Sequence, residues 1–156
     1  MRLNRIVLIS VVLALAVAVP VVFAPPPPPR CPSKVTGGGQ IGFTICCDYH
    51  RATFGFNIQC RGSGDLKGEL QYVDHLTGMK IHIHDMLSLT FTDLGSGDWC
   101  ALFTGTDVYS GEIITVHVHD LGEPGTADLF EITGPGGYHG ISDPILNGNI
   151  QVHLKP

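Results

Sequence analysis

The residues with the most chemical reach are histidines spaced two apart. His82-Ile83-His84 and His117-Val118-His119 each set two imidazoles on one face of an extended strand, because side chains at i and i+2 point the same way. Paired imidazoles suit a borderline metal ion, zinc or copper. Four nitrogens could meet on one ion if the two strands were neighbours. Asp85 and Asp120 directly follow the pairs and suit either ligation or support of a ligand. The competing reading is a solvated sheet face on which histidine fills polar positions, and His153, between Val152 and Leu154, fits that pattern too.

A second candidate is the acidic turn over residues 120–128. Asp120, Glu123 and Asp128 could offer oxygens to a calcium ion. Turn chemistry alone already accounts for Gly122, Pro124 and Gly125. The cysteines are Cys31, Cys46, Cys47, Cys60 and Cys100. In an exported chain they read as two disulfides and a spare thiol. Antiparallel pairing of the first two strands through a turn near residues 48–50 would carry Cys60 back toward Cys31. The expected bridges are therefore Cys31–Cys60, with Cys100 taking Cys46 or Cys47. No Cys-x-x-Cys occurs, so a zinc ribbon and a thioredoxin-type motif are unsupported. Serines lack a Gly-x-Ser-x-Gly setting, and carboxylate pairs such as Glu69 with Asp74 are what any acidic protein supplies. The expectation is a non-enzymatic chain.

The elements that must position these residues read as strands. Ala52, Phe54, Phe56, Ile58 and Cys60 alternate with polar residues; so do Ile81 with Ile83, Ile114 with Val116 and Val118, and Ile150 with Val152. A bulge or corner is expected near Asp85–Met86. Residues 74–78 read as a hairpin loop in which Asp74 accepts backbone N–H bonds and Gly78 takes positive φ. Gly37-Gly38-Gly39 precedes no helix, so it marks a close strand approach rather than a phosphate cradle. Gly-Asn-Ile-Gln-Val at 148–152 echoes Gly-Gly-Gln-Ile-Gly at 38–42, as neighbouring first and last strands would. Eight or nine short strands predict an all-β fold, a single antiparallel β-sandwich or small β-barrel. Its core is expected to include Phe54, Phe56, Ile58, Ile81, Ile83, Val116, Val118, Phe130, Ile150 and Val152.

The N-terminus carries the address. Arg2 and Arg5 precede nineteen uncharged residues, Ile6 to Ala24, which read as a secretory signal with a cut after Ala24 or Ala18, or as an uncleaved membrane anchor. Residues 25–34 form a proline-rich linker in which the run from Pro25 to Pro29 gives roughly 15 Å of stiff spacer. Residues 35–156 form the β domain. Only seven of the nine Lys+Arg lie beyond the signal, against 14 Asp+Glu. That balance excludes a nucleic-acid binder and electrostatic docking on anionic lipid. The expected place is outside the cell or on its surface, with an extracellular protein or carbohydrate as partner and membrane contact only through residues 6–24.

Ordered motifs then carry a resemblance. Val-Thr-Gly-Gly-Gly-Gln-Ile (35–41), Arg-Ala-Thr-Phe-Gly-Phe (51–56), Gly-Glu-Leu-Gln-Tyr-Val-Asp-His (68–75), Thr-Gly-Met-Lys-Ile-His (77–82), Asp-Leu-Gly-Glu-Pro-Gly-Thr-Ala-Asp-Leu-Phe (120–130) and Gly-Asn-Ile-Gln-Val-His (148–153) resemble the post-COAP domain of bacterial extracellular proteins. The resemblance spans roughly residues 31 to 154 and implies an exported β module without an assigned activity. His84, His117 and His119 depart from the small or hydroxyl residues expected there, so a histidine function is not one the resemblance implies. The His-x-His strand with Asp120 also resembles, locally, that of copper–zinc superoxide dismutase. That enzyme needs further histidines in a long loop after the pair, and here only His139 and His153 follow.

Overall fold

The computed structural model describes residues 33–154. The signal or anchor, most of the linker and Cys31 lie outside the described residues. Nine strands follow one another: β1 (Ser33–Ile45), β2 (Asp48–Cys60), β3 (Leu66–Asp74), β4 (Lys80–Gly95), β5 (Asp98–Asp107), β6 (Ile113–Asp120), β7 (Leu129–Thr133), β8 (His139–Ser142) and β9 (Asn147–Leu154). The first strand thus begins at Ser33, inside the segment read as linker. All nine join one antiparallel sheet in the order β8-β7-β6-β5-β4-β3-β2-β1-β9. A single sheet replaces the two-sheet sandwich alternative.

Connectivity forces the sheet to curl. Strands β8 and β9 occupy opposite edges, yet only residues 143–146 join them. So short a link spans at most about 18 Å, whereas a flat sheet would part its edges by eight inter-strand spacings, nearly 40 Å. The result is a strongly curled half-barrel whose concave side holds the core. Phe54 stacks on Phe130 with ring centroids 4.1 Å apart, and Phe56 tilts against Phe103 at 5.3 Å. Of the ten core residues expected from alternation, nine are buried, and Val152 packs partly buried against the rest.

Local sequence explains the joints. Strand β1 pairs with β9, and Gly39 and Gly148 face each other there so closely that a Cβ on either would meet the partner backbone. The β1–β2 turn falls at Cys46–Cys47, two residues before the expected place. Both cysteines adopt left-handed φ, 47° and 77°, as the two central residues of a tight hairpin turn require. The register of β4 on β5 shifts between Ile83 and Asp85 and again between Met86 and Ser88, where a bulge was expected. Asp74 accepts from the Leu76 N–H at 2.9 Å, and Gly78 has φ of 73°.

The acidic turn between β6 and β7 latches the free edge of β9. Asp128, fully buried, accepts from the Leu121 N–H at 3.0 Å and the Ile150 N–H at 2.7 Å. Asp120 accepts from the Val152 N–H at 2.7 Å, and Glu123 accepts from the side-chain amides of Asn149 and Gln151. These carboxylates occupy edge donors that would otherwise template another strand. Burial pushes the Asp128 carboxyl up, against the two backbone N–H bonds, and the Asp120 and Glu123 charges push the same way. Asp128→Ala is expected to cost about 3 kcal/mol, since it orphans two N–H groups of this latch. Urea denaturation checks it, and the midpoint of the native chain is expected not to move on adding calcium.

Candidate metal centre

Cross-strand register builds the site on the convex face. In β5, Ala101 and Phe103 point into the core, so Cys100 and Leu102 point outward. In β6, Val116 and Val118 point inward, so His117 and His119 point outward. Cys100 sits directly opposite His119, and His117 opposite Glu131 of β7. Directly opposed side chains on one face lie within contact range. Two imidazoles, a thiol and a carboxylate therefore converge.

The distances are short. Cys100 Sγ lies 2.9 Å from His117 Nε2, and His119 Nε2 lies 3.2 Å from the same nitrogen. One ligand atom from each of Cys100, His117 and His119 falls within 4.8 Å of the others. Tetrahedral zinc holds two imidazole nitrogens about 3.3 Å apart, so the pair is already at ligating separation. His117 Nδ1 lies 3.3 Å from Glu131 Oε2. A proton placed on Nδ1 donates to that carboxylate and leaves Nε2 as a lone pair facing the thiol and His119, the carboxylate–histidine–metal arrangement. Glu131 Oε1 also accepts from His139 Nε2 at 2.8 Å.

Electrostatics agree with this assignment. Burial lowers the His119 pKa, the neighbouring His117 lowers it further, and Asp143 and Glu131 oppose both. The neutral, ligating imidazole is thereby favoured. Burial pushes the Cys100 thiol up, so a metal ion must displace its proton. The hydrogen bond from His139 does most to hold the Glu131 carboxyl below its usual range; burial works against it, and His117 adds to the lowering. Beside the cluster an open groove of about 440 Å³ exposes Cys100, His117 and Glu131 among Thr90, Thr92, Thr115 and Thr133. It leaves a path to an ion's remaining coordination positions.

The structure redistributes the residues singled out from sequence. Each histidine pair does share a face, with ring centroids 4.0 Å apart for His82 and His84 and 4.7 Å for His117 and His119. The two pairs do not meet. Strand β5 lies between β4 and β6. The His82 N–H bonds Asp107 at one end of β5, while His119 faces Cys100 near the other, seven residues and about 23 Å away. A four-imidazole centre is therefore set aside. Among the described residues the ligand groups that converge are Cys100–His117–His119 and Glu69–His82–His84. Asp120, Glu123 and Asp128 form neither, because their oxygens serve the β9 latch.

The expected bridge from Cys100 to Cys46 or Cys47 is corrected: all three are free thiols. The vicinal cysteines are held in the β1–β2 hairpin turn, and β3 and β4 separate that hairpin from β5. Cys60 stands opposite Ser33, near the chain position of Cys31 as the pairing argument required, and the Cys31–Cys60 bridge itself reaches outside the described residues. Sequence reasoning missed Cys100 as a ligand partner, Glu131 as the carboxylate behind His117, and Glu69. No family model matches the chain, and neither a curated protein nor a solved structure matches it.

Proposed function

We propose that this chain is an exported or surface-anchored, non-enzymatic β module that binds zinc or copper through Cys100, His117 and His119. The observation that carries the reading is the convergence of Cys100 Sγ and His119 Nε2 on His117 Nε2 at 2.9 and 3.2 Å. One thiolate with two imidazoles is the donor set that both zinc and copper take in proteins. The apolar N-terminal run supports export, and the ordered motifs over residues 31–154 support a post-COAP-type module. Binding, adhesion or assembly outside the cell would then be work done with a metal ion in place.

Cobalt titration of the reduced full chain, made without a histidine tag, tests the reading. A saturable thiolate-to-cobalt charge-transfer band is expected, and zinc should bleach it. A titration with no such band overturns the proposal. Glu131→Gln is expected to weaken zinc at this centre by about 10- to 100-fold, the usual cost of losing a carboxylate behind a ligating histidine. Competition with a chromophoric chelator measures it.

A further inference from the structure

We infer that the chain carries a separate divalent-metal site at Glu69, His82 and His84, built for a zinc-class ion on nitrogen and oxygen ligands alone. Strand β3 supplies Glu69 and β4 supplies both histidines. The last registered pairs, Gln71 with His82 and Leu70 with Ile83, bring Glu69 opposite His84 one step on. A carboxylate oxygen and two ring nitrogens lie there within 4.8 Å of one another.

Three further observations point to a ligand. His82 Nε2 is buried and has no hydrogen-bond partner, which is costly for a polar atom unless something else binds it. The His82 and His84 rings stand 4.0 Å apart, tilted 55°, so both can turn a nitrogen to one ion. The register breaks between Ile83 and Asp85, and a bulge at that point re-aims a side chain, here His84.

The scaffold is rigid where it must be. The His82 N–H donates to Asp107 Oδ1 at 2.8 Å, and the His82 carbonyl accepts from the Val108 N–H at 2.8 Å. His82 is thus a fixed anchor, while Glu69 and His84 are exposed and can close on an ion by rotamer changes. Without a sulfur ligand this site suits zinc, nickel or copper(II) and discriminates against copper(I). The Cys100 centre accepts both oxidation states. The site stands on its own geometry, whatever the Cys100 centre does.

Zinc stoichiometry of the full chain tests it, with cobalt used separately to report the thiolate. Two equivalents are expected. His82→Ala, and independently the exposed-site variant His84→Ala, should each bind one equivalent and keep the cobalt–thiolate band. Cys100→Ser/His119→Ala should bind one equivalent and lose the band. Two equivalents retained in both His82→Ala and His84→Ala, or one equivalent in the native chain that only the Cys100→Ser/His119→Ala variant abolishes, overturns the site and leaves the Cys100 reading intact. One equivalent in the native chain that survives Cys100→Ser/His119→Ala but not His84→Ala removes the Cys100 reading instead.

Discussion

Cys100→Ser is expected to weaken zinc at the β5–β6 centre by at least about 100-fold while the fold persists. Loss of a supporting carboxylate already costs about 10- to 100-fold, so loss of a direct thiolate must reach the top of that range or exceed it. The side chain sits on the convex face, 9% exposed, outside the aromatic core. Serine in its place should cost stability only about 1 kcal/mol. Isothermal titration with zinc, beside a urea melt of the same variant, separates the two effects. An affinity unchanged from the native chain would show that the sulfur is no ligand.

Asp74→Ala is expected to destabilise the protein by about 3–5 kcal/mol, the usual cost of leaving half of a buried ion pair or hydrogen-bonded set behind. Asp74 is fully buried and His50 nearly so. Their contact is 2.7 Å, from Nδ1 to Oδ2. Tyr138 donates its hydroxyl to the same oxygen at 3.1 Å and lies 2.7 Å from the Tyr72 hydroxyl. Phe43 stacks on the imidazole with centroids 5.1 Å apart. Burial alone would raise the Asp74 pKa. The bonds from His50, the Leu76 N–H, Thr77 and Tyr138 outweigh it and hold the carboxyl below its ordinary 3.8. A depressed folded value means that the stabilisation is complete above the ordinary value. It is lost as pH falls from there through the folded one. Acid titration of urea stability should show that loss in the native chain and a flatter acid limb in Asp74→Asn.

Period-two alternation made the strands, the core and the shared face of each histidine pair legible, because each depends only on neighbours along the chain. The pairing of β1 with β9 was legible in the echo of residues 38–42 at 148–152, and the structure adds the close approach of Gly39 to Gly148. The ligand sets were not legible. Cys100 meets His119 only because of the β5–β6 register, and Glu69 meets His84 only because β3 lies beside β4. His50 and Asp74 are 24 residues apart and come together through the β2–β3 register, which sets Asp74 opposite Ala52, two residues from His50. The acidic turn was legible as a turn, but its carboxylates find their donors on β9, a strand that follows it by some twenty residues. The Cys46–Cys47 turn lacked the usual Asn or Gly that announces left-handed φ.

X-ray absorption at the zinc edge reads the ligands of the Cys100 centre. The full chain carrying His82→Ala and His84→Ala, loaded with one equivalent of zinc, leaves only the Cys100 centre to fill. The spectrum is predicted to show one sulfur at about 2.3 Å and two imidazole nitrogens at about 2.0–2.1 Å, with light atoms completing the shell. A zinc shell of nitrogen and oxygen alone, with no sulfur scatterer, would contradict it.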